Sequence, residues 1–385
     1  MHSSFDMYAD DVVRRQKIGN LLKEIHFLIP KQNINFSKVG VYEVREGFLN
    51  GRKIKRLIIY MRSHGCEWML NNPNGGCTMC GHLVGTARGR VISAESYKKQ
   101  FDDIISNIYL GDISMICIYN AGSFLNDKEM HPEVREYIYR KLGSIKSIET
   151  IIFESRPEYL SYDKLETMRA LLPNQRIEIG IGLETTNDYI RRICLNKGFS
   201  LKEFEKVIPL LKRYNIKILA YVLQKPPFVN EKLAIDDAIL SIDWAFKNGV
   251  DVVSLEPVSI QRNTLVHLLY SMNLYRTPWI WSVLSVIKGV SGKGLVRIGG
   301  FEFFPPPDIY THNCSSCNDV CIQAISLYNA TNDVAIIEEA LSYPCADCKE
   351  IWLKELEDSS RIQDNIDLFL YSYNKEILYN LYGHN

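Results

Sequence analysis

Short apolar runs alternate with amphipathic segments of helical period through the middle of the chain. The runs are rich in isoleucine, valine and leucine, which favours strands, and the segments between them carry apolar residues on one side. The predicted strands cover residues 56–61, 113–119, 149–154, 177–183, 216–223 and 251–255. Continuous apolar strands separated by helices indicate a parallel sheet covered on both faces. The sequence therefore predicts an α/β fold with six β/α repeats, arranged as a partial TIM-type barrel.

Polar residues follow several of these predicted strands directly. They are Asn120, Gly122, Ser123, Glu154, Arg156, Glu184, Gln224, Lys225 and Glu256. In parallel β/α barrels the chemistry lies at the carboxyl ends of the strands, where the loops converge. We therefore expect these side chains to surround one common site.

Three cysteines follow the first predicted strand within a loop that contains Gly, Asn and Pro. Cys66, Cys77 and Cys80 have the spacing C-x10-C-x2-C. Structural zinc usually takes four protein ligands, whereas three thiolates suit a [4Fe–4S] cluster that keeps one iron open for a small ligand. A zinc site completed by His64 or His82 is the alternative.

The composition excludes some classes of protein. The chain has 385 residues with 45 basic and 45 acidic side chains, so charge alone demands no nucleic-acid partner. No apolar run approaches the ~18 residues of a membrane span, and the N-terminus lacks an apolar signal core. Most of the ten cysteines fall into two groups with C-x2-C spacing, which is typical of metal binding in a reducing compartment. We expect a cytoplasmic protein.

Three regions are predicted along the chain. Residues 1–54 form an N-terminal cap, residues 55–300 the partial barrel, and residues 301–385 a small Cys-rich module. The aromatic and Pro-rich segment 301–307 is the expected connection between the last two.

The second cysteine group lies in the C-terminal module. Cys314 and Cys317 form one C-x2-C pair, and Cys345 and Cys348 form another. Two such pairs predict a four-thiolate zinc site, and an auxiliary iron–sulfur cluster is the alternative. Cys321 lies at the start of a predicted helix and is interpreted as a spare thiol.

Four stretches, taken in order, resemble motifs of the radical SAM superfamily. They are the cysteine loop with an apolar Met79 before its last cysteine, then residues 152–159, 177–185 and 195–199. The widened first cysteine spacing and the Glu154-Ser-Arg156-Pro strand end are similar to the branch of the Elongator catalytic subunit. The resemblance covers about residues 55–260 and implies a radical SAM barrel.

A closer similarity is to the beta-subunit family of archaeosine synthase, a radical SAM lyase. It is carried by residues 76–81, 122–125, 154–157, 182–185, 225–228, 261–262 and 312–314. The resemblance implies a partner enzyme, the alpha subunit, which attaches lysine to 7-cyano-7-deazaguanine in tRNA. It also implies that the radical enzyme then cleaves the lysine C–N bond and leaves the formamidine of archaeosine. A flavodoxin- or ferredoxin-type electron donor would reduce the cluster.

The resemblance also implies roles for the residues at the strand ends. S-adenosylmethionine would be held by Gly122, Ser123, Glu154 and Glu184, and the carboxylates of methionine and of the substrate lysine by Arg156 and Lys225. One feature departs from the superfamily pattern, because Ala121-Gly122-Ser123 stands where many members have Gly-Gly-Glu.

Two other functions are compatible with the cysteine pattern. The chain could be a radical SAM enzyme for a small molecule or a peptide, or a non-catalytic iron–sulfur or zinc protein that binds nucleic acid. The polar residues at the strand ends argue against the second, because a carrier does not need them around the cluster.

Overall fold

The computed structural model describes residues 4–30, 33–38, 40–49, 51–71, 75–301 and 306–383. The strands are β1 (Val41–Leu49), β2 (Arg52–Tyr60), β3 (Ile113–Tyr119), β4 (Thr150–Glu154), β5 (Arg176–Glu184), β6 (Lys217–Gln224), β7 (Val252–Pro257) and β8 (Leu295–Ile298). The helices before β7 are α1 (Ser4–Leu28), α2 (Glu67–Asn71), α3 (Ala94–Ile105), α4 (Pro132–Gly143), α5 (Tyr162–Leu171), α6 (Leu201–Arg213) and α7 (Glu231–Lys247). Those after it are α8 (Leu265–Ser271), α9 (Ile280–Gly289), α10 (Asn318–Thr331), α11 (Val334–Ser342), α12 (Ala346–Glu355), α13 (Ile362–Ser372) and α14 (Lys375–Tyr382).

The eight strands form one sheet in the order of the chain, curled into a half-barrel. β1 pairs antiparallel with β2, and each later strand pairs parallel with the one before it. The predicted α/β partial barrel is therefore confirmed. The six predicted strands correspond to β2 through β7. The pattern of residues 39–52 also predicts a strand and a turn before the first core strand, which β1 confirms, and the structure adds β8 at the other edge. β8 has only four residues in a Gly-rich segment, which is why its pattern was too short to indicate a strand.

The two faces of the sheet differ in character. Alternate residues such as Leu57 and Ile59 point outward and pack with the surrounding helices in the main core. The residues between them, such as Ile58 and Cys117, line the concave face together with Tyr60, Tyr119 and Tyr221. The inner face is therefore partly polar and provides a chamber whose carboxyl-terminal rim carries the strand-end residues.

Side-chain caps begin the helices that follow two of these strand ends. Ser200 and Glu203 form a reciprocal capping box at α6, and the Asn230 side chain accepts a hydrogen bond of 2.9 Å from the amide of Leu233 at α7. Such caps stabilise a helix start by roughly 1 kcal/mol. They also fix where the preceding loop must end, and the loops that precede α6 and α7 carry site residues.

The C-terminal helices pack directly on the barrel. Trp352 of α12 donates a hydrogen bond of 2.9 Å to Ser282 of α9. Arg14 of α1 pairs with Asp367 of α13 at 2.6 Å. Most of the connection predicted at 301–307, namely residues 302–305, lies outside the described residues, and the division into three regions stays a prediction.

Candidate functional site

The cysteine loop lies at the carboxyl end of β2, as predicted. The turn that carries Cys77 and Cys80 is anchored through Thr78, whose amide and hydroxyl donate to the carbonyls of Leu195 and Cys194 at 3.2 and 2.8 Å. The Thr78 carbonyl in turn accepts a hydrogen bond from Leu265 at 3.0 Å. The loop is thus tied to segments that follow β5 and β7.

The three thiols share one electrostatic environment. Burial raises the pKa of Cys66 and of Cys80 to about 12, and it raises the pKa of Cys77 as well. Cys77 raises the pKa of Cys66 and of Cys80, and Cys66 also raises the pKa of Cys80. The positive charges of Lys197 and Arg156 lower the pKa of Cys77. Three partly buried thiols with two cations in electrostatic range fit an anionic metal–thiolate cluster, because ligation requires deprotonated sulfur.

A carboxylate that the sequence pattern did not reveal lies next to Cys66. Glu129 is 1% exposed, and its carboxylate accepts hydrogen bonds from the Glu67 amide at 2.9 Å, from the Asn126 side chain at 2.9 Å and from the Ser123 amide. A Cβ at Gly122 would overlap this carboxylate and would lie 3.3 Å from Cα of Cys66. A carboxyl group is therefore present at the Gly122-Ser123 loop even though the chain lacks a Gly-Gly-Glu.

Arg156 follows β4 and is held between two aromatic rings. Its guanidinium carbon lies 5.1 Å from the centre of the Trp68 ring and 5.1 Å from that of Phe199. Its Nε donates to Glu158 at 2.6 Å, whereas its Nη2 is buried and has no hydrogen-bond partner. A buried guanidinium with an unused donor is suited to bind an anionic group of a ligand.

Gly198 makes this arrangement possible. A Cβ at this position would overlap the Trp68 ring and would lie 2.6 Å from Nη2 of Arg156. The Trp68 indole donates to the carbonyl of Asn196 at 3.1 Å, so the segment that contains Gly198 also holds the ring. This segment is one of the four motif stretches, and its residue Asn196 forms hydrogen bonds with Trp68 and Gly76 of the cysteine loop.

Glu184 is predicted to bind the cofactor, and it forms a buried ion pair with Lys197. The side chains of the two residues are 7% and 10% exposed. Glu184 ends β5 at a β-bulge and has a positive φ of 62°, an uncommon conformation for a residue with a side chain. Lys197 was not predicted as a site residue, and its charge lowers the pKa of Cys77 and Cys80. It lies in the same motif stretch as Gly198.

Two further carboxyl groups lie at the rim of the concave face. Burial raises the pKa of Glu154 and of Glu256 to about 7, and each lies within electrostatic range of Glu184. The Tyr221 hydroxyl donates to Glu154 at 2.7 Å, and the Ser254 hydroxyl donates to Glu256 at 2.6 Å. The predicted residue Glu154 is therefore brought together with Glu184, and Glu256 joins them.

Two fully buried amides near these groups have no protein partner. Both polar side-chain atoms of Asn120, which follows β3, and both of Gln224, which ends β6, lack a hydrogen bond. Buried amides normally have partners. A polar ligand at the strand ends would supply them, so these residues fit a cofactor such as S-adenosylmethionine.

Lys225 lies in a different environment. Its ammonium group pairs with Glu231 at 2.6 Å, and the two side chains are 9% and 1% exposed. The Tyr275 ring centre is 5.7 Å from the ammonium nitrogen, and the Tyr275 hydroxyl donates to the Lys225 carbonyl at 2.6 Å. Lys225, which was predicted to bind a carboxylate of a ligand, is thus already paired with a carboxylate of the protein.

The four predicted cysteines of the C-terminal module converge as one group. Cys314 lies 3.5 Å from Cys317 and 3.4 Å from Cys345 between sulfur atoms, and Cys348 lies 3.4 Å from both Cys317 and Cys345. All four sulfurs lie within 4.8 Å of one another. The Trp281 indole donates to Cys348 at 3.2 Å.

Cys321 is one helical turn beyond this group and does not belong to it. Its sulfur is buried and accepts a weak hydrogen bond of 3.6 Å from the Asn313 side chain. Cys117 and Cys194 are buried among apolar residues. None of the helices in the described ranges combines the length and the apolar character that crossing a membrane requires.

Two curated relatives have the same name. The archaeosine synthase subunit beta of Methanosarcina acetivorans is 31% identical over 80% of this chain and 87% of its own length. That of Thermococcus kodakarensis is 30% identical over 61% of this chain and 72% of its own length. No protein-family model matches the chain.

Solved structures with a similar course of the backbone include methylornithine synthase, at 13% identity and a TM-score of 0.47 over 94% of this chain and 92% of that one. The archaeal Elp3 of Methanocaldococcus infernus matches at 15% identity and a TM-score of 0.37 over 54% of this chain and 52% of that one. Both scores lie below 0.5, and the sequence relatives alone establish the family. The chain therefore belongs to the archaeosine synthase subunit beta family, as its radical SAM motifs indicated.

Proposed function

We propose that the chain is a radical SAM lyase that completes archaeosine in tRNA by cleaving the lysine C–N bond of lysine-modified 7-cyano-7-deazaguanine. The observation that carries this proposal is the cysteine loop at the carboxyl end of β2, with Arg156 and Lys197 in electrostatic range of Cys77, in a chain of this family. The relatives are enzyme subunits by name, which favours catalysis over a carrier role.

The loop thiols would hold a [4Fe–4S] cluster, and the strand ends would hold S-adenosylmethionine. When bound, this pair supplies one-electron cleavage of the sulfonium and a 5′-deoxyadenosyl radical that abstracts hydrogen from the substrate. Gly122 lets the backbone approach the methionine, and the Ser123, Glu154 and Glu184 side chains are available to its polar groups. The unpartnered amides of Asn120 and Gln224 support a polar ligand at this edge of the sheet.

Arg156 is the better of the two predicted cations for a carboxylate. Its buried Nη2 has no partner, whereas the Lys225 ammonium is already paired with Glu231. A charge-assisted hydrogen bond to a carboxylate would satisfy this donor at a desolvated position. Lys197 would stabilise the negative charge of the ligated thiolates.

The C-terminal cysteines would bind zinc. A zinc–sulfur distance of ~2.3 Å in a tetrahedron separates the sulfurs by ~3.8 Å, close to the 3.4–3.5 Å between neighbouring sulfurs here. A cubane iron–sulfur cluster places each thiolate on a different iron and needs wider spacing. The compact group therefore favours a single ion.

Three partners follow from the proposal. The substrate would be lysine-modified tRNA, and the subunit name of the relatives points to an alpha-type enzyme that attaches the lysine. A flavodoxin- or ferredoxin-type donor would reduce the cluster. The reaction would take place in the cytoplasm, where reducing conditions keep thiols free.

The test is anaerobic reconstitution followed by reduction in the presence of S-adenosylmethionine. The wild type should release 5′-deoxyadenosine and convert lysine-modified tRNA to archaeosine, read by mass spectrometry of the nucleosides. Cys80→Ala should lose the absorbance near ~400 nm that thiolate-ligated clusters show, and with it both products. Cleavage of S-adenosylmethionine without any archaeosine would assign the radical chemistry to another substrate.

The metal assignment has its own measurement. Cys317→Ala should lose zinc in metal analysis of the purified protein but keep the cluster absorbance. The matched control is Cys321→Ala, which removes a nearby buried thiol outside the group. One zinc per chain in Cys317→Ala would show that the ligand set is wrong.

A further inference from the structure

We infer that a cleft between the last strands and α10 binds a nucleobase of the RNA substrate, an inference that rests on the proposed function. The cleft has a volume of about 420 Å³ and is lined by Phe301, Asp308, Ile309, Tyr310, Thr311, His312, Asn318 and Ile322. This volume lies in the range of sites for small molecules, ~300–1,000 Å³. The stretch 308–312 leads directly into the cysteine module.

The cleft lies at the same edge of the sheet as the cysteine loop. Ile309 forms a β-bridge with Ile260, three residues beyond the end of β7. The next residue, Gln261, accepts a hydrogen bond of 3.0 Å from the amide of Gly81, which directly follows Cys80. The segment that borders the cleft is therefore joined through the Gln261 side chain to the loop that would carry the cluster.

Two sequence motifs without a role so far meet at this cleft. Arg262, of the Gln-Arg pair, forms an ion pair of 3.1 Å with Asp308, and its side chain is 77% exposed at the rim. His312, of the His-Asn-Cys run, lines the cleft, while the next residue, Asn313, accepts hydrogen bonds from the start of α9. Asn313 and Cys314 thus have structural partners, and His312 is the member of its motif that faces the cleft.

The lining offers polar groups of the kind that read a base edge. The Thr311 side chain is buried, and its hydroxyl has no hydrogen-bond partner. Nδ1 of His312 lies 2.9 Å from the Tyr310 carbonyl and 3.3 Å from the Thr277 hydroxyl, so this side of the ring is held by the protein. The cleft is therefore lined by a hydroxyl without a partner and by an imidazole ring that the protein holds through Nδ1.

Aromatic rings complete the chemistry of a base site. Phe301 and Tyr310 both line the cleft. Sequence-specific RNA recognition acts on unstacked bases that stack on aromatic side chains and form hydrogen bonds through their edges. Arg262 pairs with Asp308 through Nε, and its other guanidinium nitrogens, on a side chain that is largely exposed, suit a backbone phosphate. Rings, edge-reading groups and a peripheral cation together favour a single nucleotide of RNA over a free amino acid.

Binding of transcribed tRNA to the reconstituted, zinc-containing protein tests the inference without turnover. Tyr310→Ala should weaken binding about 5- to 150-fold, the range found when one base–aromatic stack is removed, and Tyr310→Phe should restore it. His312→Ala should also weaken binding. Uncoupled cleavage of S-adenosylmethionine, measured without tRNA, should stay at the wild-type rate in Tyr310→Ala, Tyr310→Phe and His312→Ala. An unchanged rate shows that these variants are folded. Tyr371→Ala is the control, because this tyrosine is 92% exposed on α13.

The outcomes separate the inference from the function on which it rests. Binding of tRNA within twofold of the wild type in both Tyr310→Ala and His312→Ala would overturn the cleft as a base site. A wild type that binds tRNA through the cleft but yields no archaeosine would instead refute the proposed reaction and keep the base site. Loss of uncoupled cleavage in Tyr310→Ala but not in Tyr310→Phe would also overturn the inference, because the ring would then support the fold.

Discussion

Replacement of Lys225 by methionine should destabilise the protein in the absence of any substrate. The Lys225 ammonium lies 2.6 Å from the Glu231 carboxylate, and the two side chains are 9% and 1% exposed. Glu231 also accepts hydrogen bonds from the Trp279 amide at 3.0 Å and from the Ser282 hydroxyl. Lys225→Met would keep most of the aliphatic volume but would leave a buried carboxylate without its cation.

The size of the effect follows from this burial. Removing one partner of a buried ion pair costs about 3–5 kcal/mol, because the remaining charge is desolvated and uncompensated. The two donors from α9 and its start reduce this cost but do not neutralise the charge. In the double variant Lys225→Met/Glu231→Gln no buried charge remains, and glutamine can still accept one of these hydrogen bonds. We expect the double variant to recover ~1–3 kcal/mol of the free energy of unfolding.

The assay is equilibrium unfolding in urea under anaerobic conditions, with S-adenosylmethionine absent. The matched control is Lys232→Met, which breaks an exposed pair with Asp236 one turn apart on α7 and should change stability by less than ~0.5 kcal/mol. If Lys225→Met unfolds like the wild type yet loses turnover of modified tRNA, the structural interpretation of this pair is wrong. Lys225 would then serve the substrate, as the sequence motif suggested.

Three other outcomes are expected. Gly198→Ala should lower cleavage of S-adenosylmethionine at least ~10-fold, because its Cβ would displace Trp68 and the guanidinium beside it. Gly85→Ala is the control in the same assay, because no atom lies within 4 Å of the added Cβ and the φ of Gly85 is not positive. Glu129→Ala should reduce the cluster content after reconstitution, measured as iron per chain, because three donors around Cys66 lose their acceptor. Burial raises the pKa of Glu154 to about 7. The stability that its neutral form contributes is therefore present below pH ~4.5 and is lost as the pH rises through ~7. The urea midpoint of unfolding should fall over this pH window, and Glu154→Gln should flatten this pH dependence.

The strands were predictable because their pattern is local. β2 through β7 each bury alternating or continuous apolar residues within a few positions, and the helices between them show the 3.6-residue period. The cysteine loop and Glu184 were found for the same reason, since each follows a strand directly. Parallel pairing then brings the strand ends together without further information from the sequence.

Contacts between distant segments were not predictable in this way. Glu129 reaches the Glu67 amide across 62 positions of the chain, and no spacing rule connects them. Lys197 lay within a recognised motif, but its ion pair with Glu184 depends on a β-bulge that changes the direction of the strand end. Glu231 lies six positions after Lys225, at the start of the next helix, and only the fold shows that the two charges meet.

The C-terminal module connects the metal group to the proposed base site. Cys317 immediately precedes Asn318, whose side chain accepts a hydrogen bond of 3.1 Å from the amide of Asn313. The segment that carries His312 and the start of α10 both line the cleft, and Cys314 and Cys317 lie in the turn between them, grouped with Cys345 and Cys348. Because metal binding orders short segments that share thiolates, a zinc ion here would hold the turn between these two walls of the cleft against the start of α12. If the cleft binds a base as we propose, the cysteine group would thus hold one of its walls in place.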